Sequence, residues 1–481
     1  MVIEVRMKKL LSLIIVCLIA VLFLSACDSS VPERDKISYE IKAELNDKIL
    51  TCSQKTEVKN VYKEGLDSIV FALYPNAYAD GVENPAYTAK PSSFGKVDIK
   101  KISVDGEVKT GEYNEDKTYV TVSMPAKALG ESVVIDIDYE VTIPECDLRL
   151  GFKDGYYNVS NFYPQVTVFE NDKFRTDAFS TVGDPVFSPL ADFKMEITLP
   201  STSVIAAPGE VTEINNGSKK TVGVVLRDAR DAAFVIKDDY KVVTKDVNGV
   251  AVKYYYVEDE DAQGCVDTAA KAIEVFSEAF GAYPYKTFIV ASTPFKEGGM
   301  EFSGLVYISD NNGDKKGTII HETAHQWFYN LVGNDNINAA YLDEGLTTYC
   351  AEYYYLLTDD EDKYKEDMAG IEQAYLRYER IQRARGDKGL LSVTEPICKY
   401  TSYQYTMLVY YKTALLFKNL YDMGDKEKFN ASIRSYVENN RFGTADKEKL
   451  ISAFNEGMKC DVSGIINGYL SEGTVVATFA R

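Results

Sequence analysis

"TIIHETAHQWFYNLV", Thr318 to Val332, contains both histidines of a 481-residue chain. On a helix, His321 and His325 fall four apart on one face, close enough for both imidazoles to reach a single ion. Glu322 stands next to the first of them, where its carboxylate can reach a water on that ion. A catalytic zinc takes three protein ligands and keeps one position open. Glu344 offers the third, nineteen positions beyond His325 in "NAAYLDEGLTTYCAEYYYLL", on what reads as the following helix. The competing reading, two structural histidines on an amphipathic helix, does not explain why the only two imidazoles share this spacing.

Outward from that stretch, the period of the sequence changes. From about residue 36 to 240 it is two: "VVIDIDYEV" sets Ile135, Ile137, Tyr139 and Val141 on one face. Asn216-Gly217 reads as a hairpin turn between "GEVTEI" and "TVGVVL". The stretch from Tyr74 to Gly95, rich in Pro, Gly, Ser and Asn, reads as a long loop. After a last hairpin at Asn248-Gly249, "DTAAKAIEVFSEAFG" carries Ala269, Ala272, Ile273, Phe276 and Phe280 at helical spacing. Asp267 is its expected N-cap and Gly281 lies just past its end. "KTFIVAST" and "GLVYIS" read as short strands on either side of "EGGMEF", Glu297 to Phe302. The expected fold is multidomain α+β: an N-terminal antiparallel β domain over 28–240, then a second domain over 241–481, mostly helical from 318 onward.

An apolar fraction of 46% and a charged fraction of 26% are those of a globular protein. A formal net charge of -20 argues against sequence-independent nucleic-acid binding, which needs clustered Lys and Arg on phosphates. Residues 1–27 read as a targeting segment, with Arg6, Lys8 and Lys9 ahead of the apolar run Leu10 to Leu24. The run closes in "LSAC", which resembles a bacterial lipobox. The resemblance implies acylation of Cys27, export, and a lipid tether to the outer face of the cytoplasmic membrane. Cys52, Cys146, Cys265, Cys350, Cys398 and Cys460 show no CxxC spacing, and the sequence leaves open whether they pair or stay free.

HExxH followed, after eighteen intervening residues, by a glutamate resembles the gluzincin pattern, and "GGMEF" looks like the Gly-x-Met-Glu-Asn segment of the aminopeptidase N family. "HQW" at His325 to Trp327, "YLDEG" at Tyr341 to Gly345 and "YYKTALL" at Tyr410 to Leu416 are further family-like pieces. "NFYPQVTVFE", Asn161 to Glu170, is weakly similar to the N-terminal β domain of bacterial members. The departures are Phe302 for Asn, Tyr329 for Gly, Tyr341 for Trp and Thr413 for Gly.

The resemblance implies a saddle-like β domain followed by a thermolysin-like zinc peptidase domain. His321, His325 and Glu344 would hold one zinc, which lowers the pKa of a coordinated water toward ~7 and polarises the scissile carbonyl. Glu322 would take the water's proton and hand it to the leaving amine. The family's oxyanion-stabilising tyrosine maps to Tyr410, with Tyr400, Tyr403, Tyr405 and Tyr411 nearby. Glu301 would anchor the substrate's free α-ammonium, beside Met300, with Gly298 and Gly299 letting the peptide backbone approach. The 71 residues after Tyr410 are too few for the large helical C-terminal domain of longer members, so a more open site is expected. The function so implied is a zinc aminopeptidase acting on peptides. The rivals are a thermolysin-type endopeptidase, which needs no amine anchor, and a non-catalytic zinc-binding lipoprotein, against which the intact Glu322 argues.

Overall fold

A computed structural model describes residues 37–386 and 392–471. The targeting segment and Cys27 lie outside them. The first half is built on an eight-stranded sheet whose centre is Ala191–Pro200, Ile37–Asn46, Ile49–Lys59 and Ser132–Thr142. Strict alternation makes this sheet: in Ile37–Asn46 and Ser132–Thr142 every second side chain is buried. Its pairing is antiparallel except at Ile37–Asn46, which runs parallel to Ala191–Pro200. Two four-stranded sheets share its core, where Tyr39 stacks on Phe193 at 5.0 Å between ring centroids. The 74–95 stretch opens with a short 3-10 turn, Tyr74–Tyr78, and is otherwise loop. The hairpin at 210–229 turns on Gly217-Ser218, one residue later than expected, because Asn216 pairs with Lys219. Gly217 has φ +74, a conformation that favours glycine.

The second half opens with a five-stranded sheet in the order Lys241–Val247, Val250–Tyr256, Thr287–Thr293, Leu305–Ser309, Gly299–Phe302. The crossover between its parallel strands Val250–Tyr256 and Thr287–Thr293 is helix α1, Ala262–Phe280. Its N-cap is Asp261, which accepts from the Gly264 amide, and not the expected Asp267, which instead pairs with Lys245 at 2.7 Å. "GMEF" is itself a strand at the sheet edge, where the sequence suggested only a connection. Phe302 faces Leu305 across a two-residue turn whose Gly304 has φ +73.

Three helices then carry the chain past the site: α2 Lys315–Ala324, α3 Glu344–Leu357 and α4 Glu361–Arg385. Beyond them a π-helical stretch, Thr406–Lys412, leads into a further helix, Thr413–Met423. Trp327, fully buried, donates its indole N–H to the Gly281 carbonyl at 2.8 Å, tying the end of α1 to the chain just after α2. All six cysteines of the described residues are free.

Candidate active site

Asp314 caps α2 by accepting from the Gly317 amide at 3.0 Å. His321 and Glu322 lie in the last turn of α2, and His325 is the residue that ends it. The His325 Nδ1 lies 3.2 Å from the Phe328 carbonyl, which can only accept, so in the neutral ring that nitrogen carries the proton and Nε2 is left its lone pair. Nε2 of His325 lies 3.2 Å from Nε2 of His321. Glu344 Oε2 completes the triangle, at 3.4 Å from His321 and 3.3 Å from His325. That oxygen is buried and makes no hydrogen bond. Electron pairs converging at these distances repel one another unless a cation sits among them, so the three residues form a group that can hold a metal ion.

Glu344 is the first residue of α3, where the helix dipole favours a carboxylate. Burial would push its carboxyl up, yet the two imidazoles beside it hold it far below the usual range. Burial pulls His321 down, while His325 is held well above the imidazole range by Glu301, Glu344 and Glu322 against the opposing effect of burial. Asp343, which caps α3 through the Glu344 amide, is pushed well up by burial and by Glu344 beside it. These shifts describe a buried site dense in carboxylates that calls for positive charge at one point.

Glu322 and Glu301 approach the same point from the other side: with His325 they form a second group whose ligand atoms lie within 4.8 Å of one another. Burial first, then Glu301, push the Glu322 carboxyl well above its usual range, and its Oε2 is buried without a hydrogen-bond partner. Glu301 is likewise raised by burial. The edge strand holding Glu301 is fastened to the chain after α2. Gln326 donates to the Phe302 carbonyl at 3.1 Å and accepts from the Gly304 amide at 3.0 Å. Asp231, from the β half, accepts from the Ser303 amide at 2.9 Å and from the Tyr329 hydroxyl. Phe302 therefore serves packing, its ring 4.7 Å from Tyr307, and Tyr329 serves as a hydrogen-bond donor to Asp231.

A Cβ on Gly299 would run into Glu322 Oε1, so this glycine makes room for the HETAH glutamate. Gly298 is outside the cavity lining, whereas Gly299, Met300 and Glu301 are part of it. Tyr410, on the π-helical stretch, donates to Glu344 Oε1 at 2.5 Å and stacks on His321 at 6.1 Å between centroids. Gly345 lets that stretch come close, because a side chain there would meet Thr413.

The lining also contains residues that the sequence did not single out. Tyr405, one of the tyrosines noted beside Tyr410, lines the cavity as well, and the cavity, about 430 Å³, is closed on one side by the β half through Tyr78, Arg149 and the 179–185 segment. No spacing in the sequence links these residues to the histidines.

Residues 265–469 match the peptidase family M1 domain. The chain is 22% identical over 395 residues to aminopeptidase N of Lactobacillus delbrueckii subsp. lactis, covering 78% of this chain and 46% of that protein. It is 23% identical over 399 residues to tricorn protease-interacting factor F2 of Thermoplasma acidophilum, covering 77% and 47%. It thus spans about half the length of the curated relatives it matches. In fold it is similar to the M1 zinc metallopeptidase of Deinococcus radiodurans, with a TM-score of 0.66 at 18% identity over 93% of this chain and 96% of that one.

Proposed function

We propose, from its place among the aminopeptidase N-like gluzincins, that this chain is a zinc-dependent aminopeptidase that removes N-terminal residues from peptides. The observation that carries the reading is the His321–His325–Glu344 triangle, with sides of 3.2, 3.3 and 3.4 Å. Ligand atoms about 2.05 Å from a tetrahedral zinc lie about 3.3 Å apart, so the triangle has the size zinc requires. Zinc held there would supply Lewis-acid polarisation of the scissile carbonyl and lower the pKa of a water toward ~7.

The remaining chemistry belongs to the chain. Glu322, with a proton affinity raised by its burial, takes a proton at its carboxylate and returns it to the leaving amine. Glu301 receives the α-ammonium of the substrate in a charge-assisted hydrogen bond, which fixes the cut to one residue from the N-terminus. Tyr410 orients Glu344 through the 2.5 Å hydrogen bond and can turn its hydroxyl to the developing oxyanion. The Deinococcus radiodurans protein has been seen as a glutamate-to-alanine mutant with the tripeptide Tyr-Ser-Ala bound, which supports a peptide as substrate class. The lipobox-like "LSAC" supports anchoring through Cys27 on the outer face of the membrane, where the enzyme would trim extracellular peptides.

The test compares aminoacyl-coumarin substrates with their N-acetylated forms, with and without a chelator. Chelator-sensitive release from the free-amine substrates alone is expected. Equal release from acetylated substrates would make the enzyme an endopeptidase, and no release from either would leave a binding protein.

A further inference from the structure

Among the residues lining the cavity, the β half contributes a single cation, Arg149, and the chemistry assigned above makes no use of it. Its side chain is 21% exposed and is held in place from within the β half. One terminal nitrogen donates to Asp184 Oδ1, and the other to the Gly183 carbonyl at 3.3 Å. The second oxygen of Asp184 accepts from Asn336 Nδ2 at 3.1 Å, so both carboxylate oxygens are occupied. A guanidinium has five N–H donors and these contacts engage only part of them. What Arg149 can offer a ligand is therefore its remaining N–H donors, held in a fixed direction by Asp184 and Gly183.

A second donor stands beside it. Gly183, with φ +69, lies between Arg149 and Tyr405: a Cβ there would sit 2.9 Å from the Tyr405 hydroxyl. That hydroxyl is buried and has no hydrogen-bond partner, and Tyr405 is among the residues that line the cavity. The Tyr405 ring lies 5.4 Å from that of Tyr410, which in turn reaches Glu344. Arg149 and Tyr405 thus extend the proposed catalytic centre by a patch of fixed donors. The complement to such a patch is an anion with paired oxygens, since a guanidinium receives a carboxylate through parallel N–H bonds and repels an ammonium.

We infer that Arg149, held by Asp184 and Gly183 beside the Tyr405 side chain, receives a carboxylate of the bound peptide and makes the enzyme favour substrates that present one there. This rests on the aminopeptidase reading. The carboxylate has two sources, the side chain of an acidic first residue or the C-terminus of a short peptide, and the test separates them.

Turnover is measured on glutamyl- against glutaminyl-coumarin, and on Ala-Ala against Ala-Ala-amide, for wild type, Arg149→Lys and Arg149→Gln. Binding of the same four compounds is measured on the Glu322→Gln chain, with and without Arg149→Gln. In the wild type the carboxylate member of one pair is expected to be favoured, and Arg149→Gln to reduce that preference about tenfold or more, with partial recovery in Arg149→Lys. A loss confined to the first pair identifies the side chain; a loss confined to the second identifies the C-terminus. A wild type indifferent to the carboxylate in both pairs, or a preference that Arg149→Gln leaves intact, overturns the inference. Should Arg149→Gln fold poorly with Asp184 unpaired, the Arg149→Gln/Asp184→Asn double variant removes both charges and is read in the same way. If no substrate is cleaved by wild type, the aminopeptidase reading fails, and the binding arm still decides the role of Arg149.

Discussion

Glu344 and Glu352 sit eight positions apart on the same helix, α3, and the protein holds them in opposite states. At the first turn, two imidazoles and the helix dipole keep Glu344 ionised despite its burial. Further along, burial and then the nearby Asp367 carboxyl push Glu352 up to about 8, so it carries a proton at neutral pH. Lys363 is 2.6 Å from Asp367, and its charge only partly offsets this. Burial alone therefore does not make a metal ligand of a glutamate. The partners facing the carboxylate decide, and in this helix only the first turn meets two nitrogen lone pairs.

That contrast can be broken at several points. The largest effect is expected from Glu322→Gln, which removes the proton acceptor and leaves the His321–His325–Glu344 triangle untouched. The kcat should fall by about 10²–10⁴-fold with metal content unchanged by elemental analysis; an active variant would remove Glu322 from its role. Next comes Glu301→Ala. Its selectivity for free-amine over N-acetylated substrates should fall by about tenfold or more, and an equal loss on both classes would refute the amine anchor.

The smallest effect is expected from Glu352→Gln, and it sharpens the comparison from the neutral end. The folded-state pKa of Glu352, about 8, lies above its ordinary 4.5. Its contribution to stability is therefore fully present below pH 4.5 and is lost as pH rises toward 8. Glutamine keeps the neutral form at every pH. Melting temperatures of the two proteins should agree near pH 5, and the variant should gain about 2 °C or more near pH 8.5. A gain that does not depend on pH would contradict a protonated Glu352.

The parts of this site that were legible in the sequence are those whose geometry is local or whose spacing is constrained by one ligand. HETAH needs only one helical turn to bring His321 and His325 together, and Glu344 is marked by its distance from them. Period two revealed the strands, yet it is blind to direction, so the parallel pairing of Ile37–Asn46 with Ala191–Pro200 was not visible. The N-cap of α1 was misread because two aspartates were available, and the choice fell to tertiary partners: Asp267 is taken by Lys245 and Gln263. Gly299 has a role that the sequence did not suggest, since its absent side chain leaves room for Glu322. Arg149 and Asp184 were invisible, because they reach the cavity from segments far from the histidines that no period connects, whereas Tyr405 was in view only as a neighbour of Tyr410.

The central claim is that the two imidazoles and Glu344 together hold one metal ion, and elemental analysis of purified wild type and Glu344→Ala tests it most directly. One zinc per wild-type chain is expected, with loss of most of it in Glu344→Ala and the fold intact by circular dichroism. Wild type free of stoichiometric metal, or a Glu344→Ala chain that retains it in full, would contradict the account.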